Sequence, residues 1–271
     1  MNLFYRTEGK GEALIILHGL YGSSDNWMQI AKKLADKFRV ITVDHRNHGA
    51  SPHDNSHSYD DMLTDLAWLM HELEIEKAHV LGHSMGGKVA IAFAADYPEK
   101  ILSLTVADIA PRNYLKNPAS AIQYDFHQKI LITLSELELS KYNTRREVDQ
   151  ALKNKLPEKH IRQFILKNLK RSKKHYEWKI NVPVLKAELD HIISGVDIDD
   201  YSDQIPIMQY PVLFIKGELS GYIQPDDEQL IKKMYPEAEI VTLEGTSHFL
   251  HAEKPDEFSD LVADFLNKAT L

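Results

Sequence analysis

Short, nearly unbroken apolar runs recur along the first 110 residues, and from the second onward each is separated from the next by a stretch with helical spacing. The runs Leu3–Glu8, Ala13–His18, Arg39–Asp44, Ala78–Gly82 and Leu102–Asp108 are of strand length. Several lack polar alternation, as expected of parallel strands covered on both faces. Between them Trp27–Lys37, Tyr59–Leu73 and Met85–Tyr97 are predicted helices, the last stopping before Pro98, which cannot continue it. After residue 210 the alternation resumes with strand Val212–Lys216, helix Asp226–Tyr235, strand Glu239–Leu243 and helix Pro255–Asn267. This repetition predicts an α/β protein with a mostly parallel sheet flanked by crossover helices.

Residues 111–206 break the rhythm. They contain no convincing β run, and Pro118, Pro157, Pro183 and Pro206 divide them into three or four helical pieces. The expected organisation is a core domain made of residues 1–110 and 207–271, with 111–206 inserted as a helical cap, or lid. Its expected place is over the C-terminal strand ends, where open α/β sheets bind ligands.

Composition narrows the function classes. At 271 residues the chain can bury a full core. No early apolar run has signal-peptide length, and none approaches the roughly 18 residues of a membrane span. The absence of cysteine excludes disulfides, thiolate metal sites and a cysteine nucleophile, and fits a cytoplasmic protein. A net charge of −8 argues against general nucleic-acid binding. The charge is uneven: residues 111–210 hold 17 Lys+Arg against 13 Asp+Glu, whereas the remainder holds 15 against 27. Lys167, Lys170, Arg171, Lys173 and Lys174 form a basic cluster there, read either as a solvated face or as a feature that steers anionic acyl donors.

Chemistry concentrates in Gly82-His83-Ser84-Met85-Gly86, between a predicted strand and a predicted helix. Gly-x-Ser-x-Gly in that context is a nucleophile elbow, a turn sharp enough to stand its serine clear of the backbone. The alternative is a glycine-rich turn carrying a solvated serine. A serine needs a base, and His248 follows the last predicted strand at the same sheet end, with His251 as its rival. The base needs an acid to hold its tautomer. Asp108 stands at the tip of the strand after the elbow helix, where it could instead cap a turn; Glu218 is the second candidate, and Asp226 and Asp227 read as first-turn helix residues. The amides of Met85 and Leu20, the latter in His18-Gly19-Leu20-Tyr21-Gly22, are the expected oxyanion donors. His18 reads as a buttress for that loop. The histidine-rich stretch from Asp44 to His57 lacks metal-ligand spacing and reads as a polar buttress with Asn47 left-handed. Arg112 and Tyr114, at the entry to the insertion, either shape a pocket or anchor the cap; His18, His83 and Trp178 complete the candidate substrate contacts.

These motifs together resemble the α/β-hydrolase superfamily across essentially the whole chain, and within it the YbfF-like esterases that include the abhydrolase-domain-11 proteins. The resemblance is carried by VDHRNHGASPH (43–53), LGHSMGGKVA (81–90), VADIAP (106–111) and HFLHAEKP (248–255), with Trp178-Lys179-Ile180-Asn181 similar to a cap motif. Many α/β-hydrolases seat the acid three positions past a glycine after the strand beyond the cap; in Gly217-Glu218-Leu219-Ser220 that seat is a serine. Similarity to the subgroup implies that Asp108 completes the triad. It also implies serine esterase activity on short acyl esters or acyl thioesters, small-molecule substrates that require no metal or organic cofactor. C–C hydrolases, lyases and cofactor-free haloperoxidases of the same fold would share these motifs, and a hydrolase-fold receptor would share the fold.

Overall fold

A computed structural model describes residues 1–116, 120–172 and 175–270. Strands β1 (Tyr5–Glu8), β2 (Ala13–Leu17), β3 (Arg39–Val43), β4 (Ala78–His83) and β5 (Ile101–Ala107) occupy the first part of the chain. Helices α1 (Met28–Leu34), α2 (Tyr59–Glu72) and α3 (Met85–Asp96) lie between them. The predicted helix at Trp27–Lys37 is present but shorter, as α1 spans Met28–Leu34 and Ser24–Trp27 forms a 3₁₀ turn ahead of it. Ser58 starts α2 as an N-cap, its hydroxyl accepting the Asp61 amide at 3.1 Å.

The segment after β5 contains α4 (Ala121–Glu136), α5 (Arg145–Leu152), α6 (Lys159–Leu166), β6 (Leu169–Ser172), β7 (His175–Trp178), α7 (Val182–Ala187) and α8 (Leu189–Ser194). The chain then returns to the sheet with β8 (Val212–Gly217), α9 (Pro225–Met234), β9 (Glu239–Leu243), α10 (Leu250–Glu253) and α11 (Pro255–Ala269). The main sheet has strand order β1-β3-β2-β4-β5-β8-β9. Its pairings are parallel except β1 with β3 at the edge.

The continuous apolar runs have a direct structural cause. Leu14 and Ile16 face α1 and α11, where Trp27, Phe258, Val262 and Leu266 cover them. Ile15 and Leu17 point the other way, into a core with Met62, Leu66, Val89 and Phe93. With both faces dry, all five positions of β2 are apolar, and each fully buried Leu or Ile contributes about 1.5–3 kcal/mol.

The insertion departs from its expected all-helical character. β6 and β7 form an antiparallel hairpin, Leu169 opposite Trp178. Its residues are half-buried or exposed and carry Lys170, Arg171 and Glu177, so no apolar alternation announces it. Pro118, Lys173 and Lys174 lie outside the described residues. The helices are amphipathic: His127, Ile130, Leu131 and Leu134 of α4 fall on one buried stripe. Among the described residues no helix is long and apolar enough to cross a membrane.

Sheet order determines where a ligand would bind. From β2 the chain moves outward to β3, then crosses back to β4 and onward to β9. The reversal opens a crevice between the C-terminal ends of β2 and β4, where open α/β sheets place their sites.

Candidate active site

Ser84 occupies that crevice. It links β4 to α3 with φ 54° and ψ −120°, a left-handed conformation that costs a non-glycine residue about 1–3 kcal/mol. The flanking glycines make the turn sterically possible. A β-carbon at Gly82 would collide with the Gly86 carbonyl, and one at Gly86 with the Leu17 carbonyl on β2.

Parallel registry brings Asp108 alongside. His83 pairs with Ala107, so the residues following β4 and β5 emerge at one level. The Ser84 amide donates to the Ala107 carbonyl at 3.1 Å, and the Asp108 amide to the Ile215 carbonyl at 2.8 Å. His248 enters from the loop after β9 and spans the two side chains. Its Nε2 lies 3.0 Å from Ser84 Oγ and its Nδ1 2.7 Å from Asp108 Oδ2. Asp108 is fully buried. Its Oδ1 accepts the Gly217 amide at 3.0 Å, and its Oδ2 also accepts the Ser220 hydroxyl. The hydrogen-bond network assigns the proton to Nδ1 of His248 and leaves the Nε2 lone pair facing the serine.

Surrounding groups hold the imidazole in place. Tyr222 stacks on it with ring centroids 3.8 Å apart, and His83 Nε2 donates to the His248 carbonyl at 2.8 Å. Burial holds His83 well below the ordinary histidine range. The alternatives sit elsewhere. His251 stacks on Trp27, and burial, with repulsion from His248 and Lys167, pushes it down to about 3. Glu218 is exposed and accepts the Gly245 amide at 2.7 Å. Asp227 lies in the first turn of α9, where its carboxylate accepts the Gln224 amide at 2.7 Å.

The loop after β2 forms a turn closed by the Gly22 amide on the Gly19 carbonyl at 2.9 Å, with Tyr21 at φ 64°. His18 braces it. Its Nδ1 donates to the Gly19 carbonyl at 2.8 Å, and its Nε2 accepts the His45 amide at 3.0 Å. The insertion holds the loop from the other side: Asn168 Nδ2 donates to the Tyr21 carbonyl at 2.8 Å, and the Tyr21 hydroxyl to the His127 carbonyl at 3.3 Å. Leu20 and Met85 line one small cavity with Ser84. As the first residue of α3, Met85 has an amide without an intrahelical acceptor.

The loop following β3 is a second clamp. Asn47 is left-handed at φ 64°, as expected. Its carbonyl accepts the Asn181 amide at 2.9 Å and its Oδ1 the Asn181 Nδ2 at 3.0 Å. Four buried histidines of this region, His18, His45, His48 and His57, are held below the ordinary range chiefly by desolvation. Among the described residues no group of three or more His, Asp or Glu is arranged to hold a metal ion.

Two cavities adjoin Ser84. The larger, about 310 Å³, lies between the strand ends and the insertion and is walled mainly by apolar side chains, Trp27, Phe126, Ile161, Phe164 and Phe249 among them. The smaller, about 30 Å³, runs behind the serine beneath Tyr114. His18 and His83 line the first and Tyr114 the second; among the described residues Arg112 and Trp178 line neither. Arg112 is an anchor, its guanidinium 4.4 Å from the Tyr114 ring and 3.3 Å from Asp227. Trp178 is half-buried in the hairpin.

Sequence reasoning missed Lys88. This fully buried lysine of α3 donates to the Arg112 carbonyl and to those of Ser194 and Val196 at 3.0 and 3.3 Å, tying both ends of the insertion to the elbow helix. Burial pulls its pKa well below the ordinary lysine range. A lone cation within the apolar run Met85–Ala95 was the available signal.

Comparison with known proteins agrees with this architecture. A family model described as alpha/beta hydrolase fold matches residues 12–255. The sn-1-specific diacylglycerol lipase ABHD11 of Danio rerio is 35% identical over 98% of this chain and 83% of its own. Esterase YbfF of Escherichia coli (strain K12) is 33% identical over 94% and 92%, respectively. A solved structure of a marine microorganism esterase superposes with a TM-score of 0.90 at 42% identity, covering 97% of this chain and 98% of that one. The chain belongs to the α/β-hydrolase fold family.

Proposed function

We propose that this enzyme, a carboxylic ester hydrolase, cleaves short-chain acyl esters through an acyl-enzyme on Ser84. The observation that supports the reading best is the hydrogen-bonded series Ser84–His248–Asp108, at 3.0 and 2.7 Å. In this mechanism His248 Nε2 takes the Ser84 proton as Oγ attacks the acyl carbon. The amides of Leu20 and Met85 receive the oxyanion, and each such donor is worth about 3–4 kcal/mol in the transition state. The imidazolium then protonates the departing alkoxide. In the second half-reaction His248 activates water, which releases the acid and restores Ser84. Asp108 keeps the Nδ1 proton in place and stabilises the imidazolium. Residues 111–206 serve as the cap, with α4 and α6 roofing the larger cavity.

Steady-state hydrolysis of p-nitrophenyl butyrate tests this reading. Ser84→Ala is expected to lower kcat by roughly 10⁴–10⁶; wild-type and variant rates within tenfold of each other would contradict it.

Acyl-CoA thioesters form a second substrate class for the same site. The exposed Lys167, Lys170 and Arg171 of the insertion support it, since they present positive charge to a polyanionic leaving group. On this reading kcat/KM for acetyl-CoA falls with ionic strength while that for a neutral ester does not. An equal response of both substrates removes the steering role.

A further inference from the structure

We propose that the two cavities divide the substrate, the small one taking the acyl chain and the large one the leaving group. The inference rests on the acyl-enzyme reading above and gives it a direction. An ester poised for attack must place three atoms around its carbonyl carbon. The carbonyl oxygen belongs at the Leu20 and Met85 amides. The leaving oxygen belongs within reach of His248 Nε2, which returns the proton to it. The acyl chain takes the side that remains.

The linings of the two cavities match this division. Ser84 and Leu20 line both cavities; among the described residues Met85 lines only the small one and His248 only the large one. The large cavity is bounded by His248 with its neighbours Ser247 and Phe249. The small cavity thus adjoins the Met85 side of the serine, and the large one the side of the base.

Size then sets the chemistry. A water-sized group needs about 10–15 Å³ of such space, so the small cavity admits about two or three non-hydrogen atoms, the tail of an acetyl to butyryl group. Its walls resist expansion. Ile109, Ile192 and Ile193 are buried, and the Tyr59 hydroxyl is tied to the Ile192 carbonyl at 2.9 Å. The large cavity, at about 310 Å³, suits a bulky apolar alcohol. Its lining includes Ile122 and Leu219, which remain 77% and 70% exposed and extend the apolar surface outward. The substrate class is therefore a two- to four-carbon acyl ester of a long-chain or aromatic alcohol.

Isomeric esters separate direction from overall hydrophobicity. Hexyl acetate and ethyl hexanoate have the same formula, with the long chain on opposite sides of the carbonyl. The wild type is expected to hydrolyse hexyl acetate with kcat/KM at least about tenfold higher, because each methylene forced into a closed pocket costs about tenfold or more. Equal rates, or a preference for ethyl hexanoate, overturn the inference and leave the acyl-enzyme reading standing. Failure to hydrolyse either isomer or p-nitrophenyl acetate would overturn that reading as well. Ile193→Ala, which enlarges only the small cavity, should shrink the preference about tenfold through a gain on ethyl hexanoate. An unchanged ratio in a folded Ile193→Ala variant also counts against the assignment.

Discussion

Replacing Asp108 by asparagine preserves its shape while changing what it can accept. The carboxylate takes three hydrogen bonds: from the Gly217 amide, the Ser220 hydroxyl and His248 Nδ1. An amide side chain has one oxygen to offer. If that oxygen faces Gly217, its NH₂ group faces His248, and the ring must move its proton to Nε2. The serine then meets a donor where it needs a base. If the oxygen instead faces His248, the NH₂ group opposes the Gly217 amide, leaving a buried donor unpaired at a cost of about 1–3 kcal/mol. The first arrangement predicts a kcat loss of about 10⁴ for Asp108→Asn, equivalent to about 5.5 kcal/mol of transition-state stabilisation. Turnover of p-nitrophenyl acetate provides the rate, and a thermal melt confirms that the variant remains folded. Glu218→Gln is the control and should retain near wild-type activity. An Asp108→Asn enzyme within tenfold of wild type, alongside a crippled Glu218→Gln, would refute the assignment of the acid.

Two further predictions concern stability. Lys88→Met leaves the Arg112, Ser194 and Val196 carbonyls without their donor and should cost about 3–5 kcal/mol in urea unfolding; a loss below 1 kcal/mol would mean the lysine does not hold the insertion. Acidification should destabilise the fold, because His57, His127 and His251 are buried and neutral, each pushed down to about 3 chiefly by desolvation. The unfolded chain protonates them near pH 6.5, so stability is fully present above that pH and is lost below it. The slope is about 1.4 kcal/mol per pH unit for each histidine, and up to about 4 for the three together. Urea midpoints unchanged between pH 7 and 5 would contradict this.

The legible parts of the fold are those whose sequence signal is local. β2, β3, β4 and β8 are largely apolar runs because both sheet faces are covered, β9 is a part-exposed edge strand, and the predicted ranges of all five match the observed strands to within a residue. Ser84 was legible because the elbow has a steric requirement that only glycine meets at positions 82 and 86. The places of His248 and Asp108 at strand ends are likewise readable in the sequence, and the structure brings both side chains beside Ser84. Ser220 stands where many members of the fold carry the acid, and its hydroxyl donates to the carboxylate of Asp108.

What escaped depends on contacts between distant segments. Asn168 reaches the Tyr21 carbonyl and Asn181 the Asn47 carbonyl, and nothing near either residue announces a partner more than 100 positions away. The β6–β7 hairpin carries charge on half-exposed strands, so no periodicity marks it. Arg112 and Trp178 show the limit of reasoning from nearness. Nearness to a candidate site in sequence, or to a motif, suggests substrate contact, whereas among the described residues neither side chain lines a cavity beside Ser84.

The central claim is that Ser84 becomes acylated. Its most direct test is intact-mass analysis and peptide mapping after reaction with a fluorophosphonate probe. The account predicts one adduct per chain, on the peptide containing Ser84, absent from Ser84→Ala and formed far more slowly by His248→Ala. An adduct on another residue, or undiminished labelling of Ser84→Ala, would contradict it.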